Sequence, residues 1–302
     1  MLDILSRAGC FVAIILLGIF LKKIGFFRDS DFTILARITI RITLPATIVV
    51  SFAGKQIDPE LLGLGLLGLG GGLLYVLIGF VSNRHNSKEQ QAFEMLNLTG
   101  YNIGTFVLPF AQSFLGPTAV IATSLFDTGN SVICLGGSFS LASMVKDGSG
   151  FSFKRILKSL STSVPFVTYV IMVTMNLTHI PVPGLIVSCA EIIASANAFM
   201  AMLMIGVGFK LQGNTSHFKT IGKMLLIRYG IASVLAFAYY YFLPLPLEIR
   251  QVLVILAFSP IGSAIPGFTS EMGGDVGLSS AMNSITIIIS IIIIITLLSV
   301  ML

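Results

Sequence analysis

Charge is what this chain has least of. Only 10% of its 302 residues are Asp, Glu, Lys or Arg, 55% are hydrophobic and the mean hydropathy is +0.96. An ordinary soluble domain carries about 25% charged residues, so a water-soluble globular chain is excluded. Cysteine is scarce as well: Cys10, Cys134 and Cys189 all fall within apolar stretches, which argues against a disulfide framework or a thiolate metal site and leaves packing as their role. The three histidines, His85, His179 and His217, are scattered over loop positions, and neither a metal nor a cofactor is expected. The glycine-rich run "GLGLLGLGGGLL" at 63–74 lacks the Lys-Ser/Thr ending of a nucleotide loop and lies inside an apolar stretch; close helix packing accounts for it.

What the chain does have is apolar stretches of about 20 residues, each long enough to cross about 30 Å of hydrocarbon as a helix. The pattern predicts ten spans at 4–25, 30–52, 60–82, 90–114, 117–144, 161–178, 184–209, 219–243, 248–270 and 275–301. This is an all-α integral membrane protein, a single transmembrane domain over 1–302. The first span is expected to be retained, because Lys22 and Lys23 follow it in place of a small-residue cleavage site. Twelve basic residues fall in the loops of one side: Lys22, Lys23 and Arg28; Arg84 and Lys88; Lys146, Lys154, Arg155 and Lys158; Lys210, Lys219 and Lys223. The other side has Arg7, Lys55 and Arg250. The positive-inside rule puts both termini outside a cytoplasmic membrane. The net charge of +5 is therefore a topology signal, and no nucleic-acid partner is implied.

The longest loop, 146–160, divides the chain into 1–145 and 161–302, five spans each. In the first half Pro109 precedes Gly116 by seven residues; in the second, Pro266 precedes Gly273 by seven. "NIG" ending at Gly104 corresponds to "SPIG" ending at Gly262. An odd number of spans separates the halves, so they have opposite orientations and form an inverted repeat. Asn102, Gly104 and Pro109 in the fourth span, and Pro260, Gly262 and Pro266 in the ninth, forfeit or weaken helical hydrogen bonds. Helices broken in mid-bilayer are tolerated only inside protein or along a wet cavity. Both broken spans should cross there, with half-helix N-termini offering free N–H groups to an anion.

The segment "NLTGYNIGTFVLPFAQSFLGPTAVIATSLFDTGNSV" at 97–132 resembles the signature of the auxin efflux carrier family, which includes bacterial permeases, some associated with malonate. "ITLPATIVVSFAG" around Pro45, "MLMIGVGFKL" and "SPIGSAIPGFTSEMGGD" resemble its second, seventh and ninth spans. The likeness covers the full length. It implies ten transmembrane helices in two inverted five-helix repeats with a crossover of helices 4 and 9, the fold of bile acid symporters and sodium/proton antiporters, and transport of an organic anion. Fold alone does not fix the cargo. One departure is that Phe199, with Asn197 nearby, stands where the family often has a seventh-span proline.

Asn102 is the first choice for substrate contact, because a carboxamide at a helix break can donate to an anion without the desolvation cost of a charge; packing is its alternative role. Gly104, Pro109, Pro260, Gly262 and Pro266 shape the same substrate-binding locus. Asp127, near mid-depth, is costly as an ion unless paired or wetted. With Asn130 one turn on, and with Ser284 as its loose counterpart in the tenth span, it is a candidate proton or cation site; the alternative is that it caps N–H groups freed by the broken fourth span. Arg37, about 10 Å deep, and Arg228 are expected to snorkel. Arg41, at about 16 Å, is expected to face the cavity as a substrate contact or a counter-ion to Asp127 or Glu191. Glu94 and Glu191 read as structural ion pairs.

These features predict a secondary transporter of a small organic anion such as a carboxylate, working by alternating access and driven by a gradient of protons or sodium ions. Its partners are that anion and the lipid bilayer, with a homodimer as a further option. The alternative is a sodium-coupled symporter or cation/proton antiporter on the same fold. An intramembrane enzyme is not expected, because neither Gly-x-Ser-x-Gly nor a pair of intramembrane acids in fixed motifs is present. A channel would spread its polar residues along a pore, whereas here they gather at one midplane locus.

Overall fold

The computed structural model describes residues 2–210 and 218–301, so His217 lies outside the described residues. Within them every regular element is helical and no strand occurs. The helices are α1 (Leu2–Lys23), α2 (Asp31–Phe52), α3 (Pro59–Ser82), α4 (Lys88–Asn97), α5 (103–115), α6 (116–147), α7 (Phe153–Thr162), α8 (Val164–Leu177), α9 (Gly184–Gly208), α10 (Phe218–Phe242), α11 (Leu247–Ala257), α12 (Ile265–Glu271) and α13 (Val276–Met301). The chain is a multi-pass helical membrane protein.

Seven helical runs among the described residues are long and apolar enough to cross a bilayer; the pair α7 and α8, bent by 78°, reaches that length only if its two helices are taken as one span. The shortfall from ten has a local cause. The fourth predicted span divides into α4 and α5, and the ninth into α11 and α12, leaving pieces shorter than a continuous crossing. The run Ile103–Asp147 is counted as one at 45 residues, about twice what a single crossing needs. It divides at Gly116, whose φ of 81° lies in the left-handed region that glycine alone enters freely. Gly273, after α12, has a φ of 69°, so the glycine seven residues beyond each proline makes a comparable turn.

Two sets of helices pack densely within themselves. One contains α1, α2, α8 and α9; the other contains α3 to α6 and α10 to α13. Glycines make the closest approaches. A Cβ on Gly18 would meet the Leu203 carbonyl oxygen at 2.8 Å, and one on Gly129 would overlap the carbonyl of Gly65. The run at 63–74 thus acts as a packing surface: Gly65 and Gly68 lie against α6, as small residues in membrane helices allow. In α9 the helix is interrupted at Ala196, and buried Asn197 accepts a hydrogen bond from Thr43 Oγ1 at 2.9 Å. The interruption falls three residues before Phe199, beside the polar side chain of Asn197.

Candidate functional site

Two gaps in the helices meet. α4 ends at Asn97 and α5 begins at 103; α11 ends at Ala257 and α12 begins at Ile265. The intervening residues include Gly100 with a φ of 83° and Pro260, which has no N–H to donate. The Asn102 N–H donates to the Pro260 carbonyl at 3.0 Å, joining the gaps directly.

Buried side chains satisfy the backbone groups that the gaps release, as a membrane interior requires. Asn130 brackets Tyr101: its Oδ1 accepts from the Tyr101 N–H at 3.1 Å and its Nδ2 donates to the Tyr101 carbonyl at 2.9 Å. In the second gap the task is shared. Asn283 Nδ2 donates to the Ile261 carbonyl at 3.0 Å, and Thr286 Oγ1 accepts from the Ile261 N–H at 3.3 Å. Arg228 serves both gaps. Only 1% exposed, its guanidinium donates to the carbonyls of Leu98 at 2.6 Å, Gly100 at 2.9 Å and Ser259 at 2.8 Å, and lies 5.0 Å from the Tyr75 ring centroid. The expectation that Arg228 snorkels is therefore corrected. Three backbone acceptors hold it in the interior.

Asp127 does not cap the broken span itself. One carboxylate oxygen accepts from Asn130 Nδ2 at 2.7 Å and the other from the Tyr169 hydroxyl at 3.0 Å. Asp127 thus orients the residue that caps, while Tyr169, on α8, links it to the other helix set. No basic side chain pairs with it among the described residues.

A cavity in two lobes flanks the crossing. The larger, about 410 Å³, reaches from Lys22, Asp29 and Lys210 at its mouth down to Asn102, Ser263, Pro266, Asn283 and Ser284. The smaller, about 280 Å³, is bounded by Ala36, Ile40 and Leu44 on α2 and by Gly104, Asp127, Asn130 and Gly262 opposite. Asn102, Ser263 and Met204 line both. Thr105 Oγ1 donates to Asn102 Oδ1 at 2.5 Å, whereas Asn102 Nδ2 has no hydrogen-bond partner among the described residues. The amide is left facing the cavity. At the mouth, Lys22 Nζ lies 2.9 Å and Lys210 Nζ 3.9 Å from Asp29 Oδ1; the hydrogen bond from Lys22 and the charges of both lysines hold that carboxyl below the usual range.

Of the residues read from the sequence, Asn102, Gly104, Asp127, Asn130, Gly262, Pro266 and Ser284 border the cavity. Ser284 Oγ accepts from the Lys210 N–H at 3.1 Å and is not placed as a counterpart of Asp127. Pro109 is buried away from both lobes, and Pro260 contributes only its carbonyl to the crossing. Arg41 requires correction: it is exposed and lines neither lobe, because Phe32, Ala36, Ile40 and Leu44 form the cavity face of α2 and Arg37 and Arg41 lie on another face. Glu94 pairs with Lys223 at 3.1 Å, as a structural ion pair should, whereas Glu191 is exposed with no ion-pair partner among the described residues. Ser263, Thr105 and Tyr169 escape the sequence reading; the serine ending "SPIGS" was the available sign for the first. Compared with protein-family models and with curated proteins, the chain matches none.

Proposed function

We propose that this chain is a secondary transporter that moves a small organic anion, such as a carboxylate, across the cytoplasmic membrane by alternating access. The observation that carries the reading is the meeting of two interrupted helices, Asn102 N–H on Pro260 carbonyl, beside a largely apolar cavity that presents Asn102, Ser263 and Asn283 and opens beside Lys22 and Lys210. An anion entering there meets the unpartnered Asn102 amide and the first turn of α5, whose N–H groups lack intrahelical partners. The helix sets support the inverted repeat: the first half contributes two spans to one set and three to the other, and the second half divides the same way. They also support movement of one set against the other around the cavity. We place both termini outside and the mouth in the cytoplasm, and read the chain as an auxin efflux carrier-like permease of ten spans.

A second reading, coupling to protons or sodium, is favoured by Asp127. It is a carboxylate on the cavity wall without a basic partner, hydrogen-bonded across the boundary between the two sets. A second copy of the chain is proposed as partner because Arg41 is exposed eleven residues into the 22-residue α2, on a face the cavity does not occupy. A guanidinium facing hydrocarbon at that depth costs about 2.5–3.5 kcal/mol on insertion scales, which a covering subunit removes. Native mass measurement in detergent is expected to give a dimer, and Arg41→Glu a monomer; a monomeric wild type refutes the pairing.

The test of transport is counterflow of radiolabelled mono- and dicarboxylates in proteoliposomes, with and without sodium and at two pH values. Asn102→Leu is expected to reduce uptake at least about tenfold, the loss of one charge-assisted hydrogen bond, while insertion stays intact. Unchanged uptake removes Asn102 from the site. No accumulation of any carboxylate by the wild type defeats the proposal.

A further inference from the structure

Helix α7 carries chemistry that transport does not use. It meets α8 at a bend of 78°, so where α8 crosses the bilayer α7 lies close to the membrane plane. Its apolar face is only half covered. Ile156 and Leu160 are buried, with Ile156 against the Gly136 backbone, whereas Phe153 is 68% and Leu157 56% exposed. Lys154 and Lys158, four residues apart and so on one face, lie beside the exposed pair, and neither has a counter-ion among the described residues.

We infer that α7 is a docking surface for anionic phospholipid: Phe153 and Leu157 enter the acyl region while Lys154 and Lys158 engage headgroup phosphates. Charge complementarity selects this occupant. A basic amphipathic helix at the boundary between protein and bilayer gains from apolar burial and from attraction to anionic lipid together. The helix is anchored from its remaining side. Arg155 is paired with Glu271 at 2.6 Å, at the end of α12, and lies 3.9 Å from the Phe139 ring centroid. Lipid held by α7 therefore sits one residue from a contact to the second interrupted span.

The chain contains no tryptophan, so Phe153→Trp creates a sole tryptophan, excited at wavelengths that tyrosine does not absorb, at the proposed surface, and Leu66→Trp, at a 72% exposed position of α3, gives a reference for general lipid. Both variants are reconstituted in mixtures of phosphatidylglycerol and phosphatidylcholine, with bromine on the acyl chains of one or the other lipid. The expected result is bromine quenching of Phe153→Trp that is stronger when phosphatidylglycerol carries the bromine, corresponding to enrichment on the order of fivefold per lysine, with no preference at Leu66→Trp. Adding Lys154→Gln and Lys158→Gln should abolish the preference and leave the quenching. Three outcomes overturn the inference. They are iodide quenching from water without bromine quenching, equal quenching by both brominated lipids, and quenching that grows only with protein-to-lipid ratio, which marks a second copy of the chain as the occupant.

Discussion

Arg228 shows how far a single side chain can be from what its depth suggests. It gathers three carbonyls from two gaps more than 150 residues apart in sequence. Arg228→Leu strands these acceptors and is expected to destabilise the protein by about 3 kcal/mol or more, read as a lower thermal midpoint in detergent; an unchanged midpoint contradicts the bonding described. Lysine, a point donor without the planar fork, should recover only part. Asp29 gives a pH prediction. Its lowered pKa means that its pairing with Lys22 persists above the ordinary carboxylate range and is lost only as pH falls through the lowered value. Across about pH 5 to 8 Asp29 keeps its charge, so Asp29→Asn should leave the shape of the transport pH profile unchanged; a shifted profile contradicts this. Asn102 and Asp127 were legible as polar groups in apolar surroundings. Arg228's role was not, because its partners are backbone atoms that leave no mark in composition. Arg41 departs from expectation in azimuth: α2 is apolar on most faces, so its sequence does not reveal which one looks inward.

At the scale of the element, composition was informative wherever it broke a rule. Proline, glycine and asparagine inside the fourth and ninth stretches located both gaps to within a few residues, because those residue types remove or compete for helical hydrogen bonds. The glycines of α3 were equally readable, since small residues permit backbone contact in lipid, where apolar side chains gain nothing by leaving the membrane. Gly129→Ala would drive a methyl group into the Gly65 carbonyl; a loss of about 1–3 kcal/mol is expected from overpacking, against little effect for Gly70→Ala, which meets nothing within 4 Å. Thermal unfolding of the two variants side by side checks this, and equal midpoints would be inconsistent with the close approach. The 78° bend between α7 and α8 has no mark in the sequence. The basic residues of α7 serve in the sequence only as a count for topology, and orientation relative to α8 is a tertiary property.

For the molecule as a whole, the partition into two helix sets follows from contacts between distant segments, and only the matching spacing of prolines and glycines in the two halves is visible in the sequence. The cavity predicts sidedness. In a variant lacking the native cysteines, Ser263→Cys, on the wall shared by both lobes, should react with a membrane-impermeant maleimide in inside-out vesicles and be protected in right-side-out ones. The reverse pattern would invert the proposed topology.

The guanidinium of Arg228 acts as a rivet. Parting the two gaps would break its bond to the Ser259 carbonyl, and the bond from Asn102 to Pro260, in a medium that offers no water to replace them, so sliding one interrupted span past the other is costly. In any rearrangement of the helices the crossing is favoured to travel as one solid piece, and the hinges must be sought at its margins.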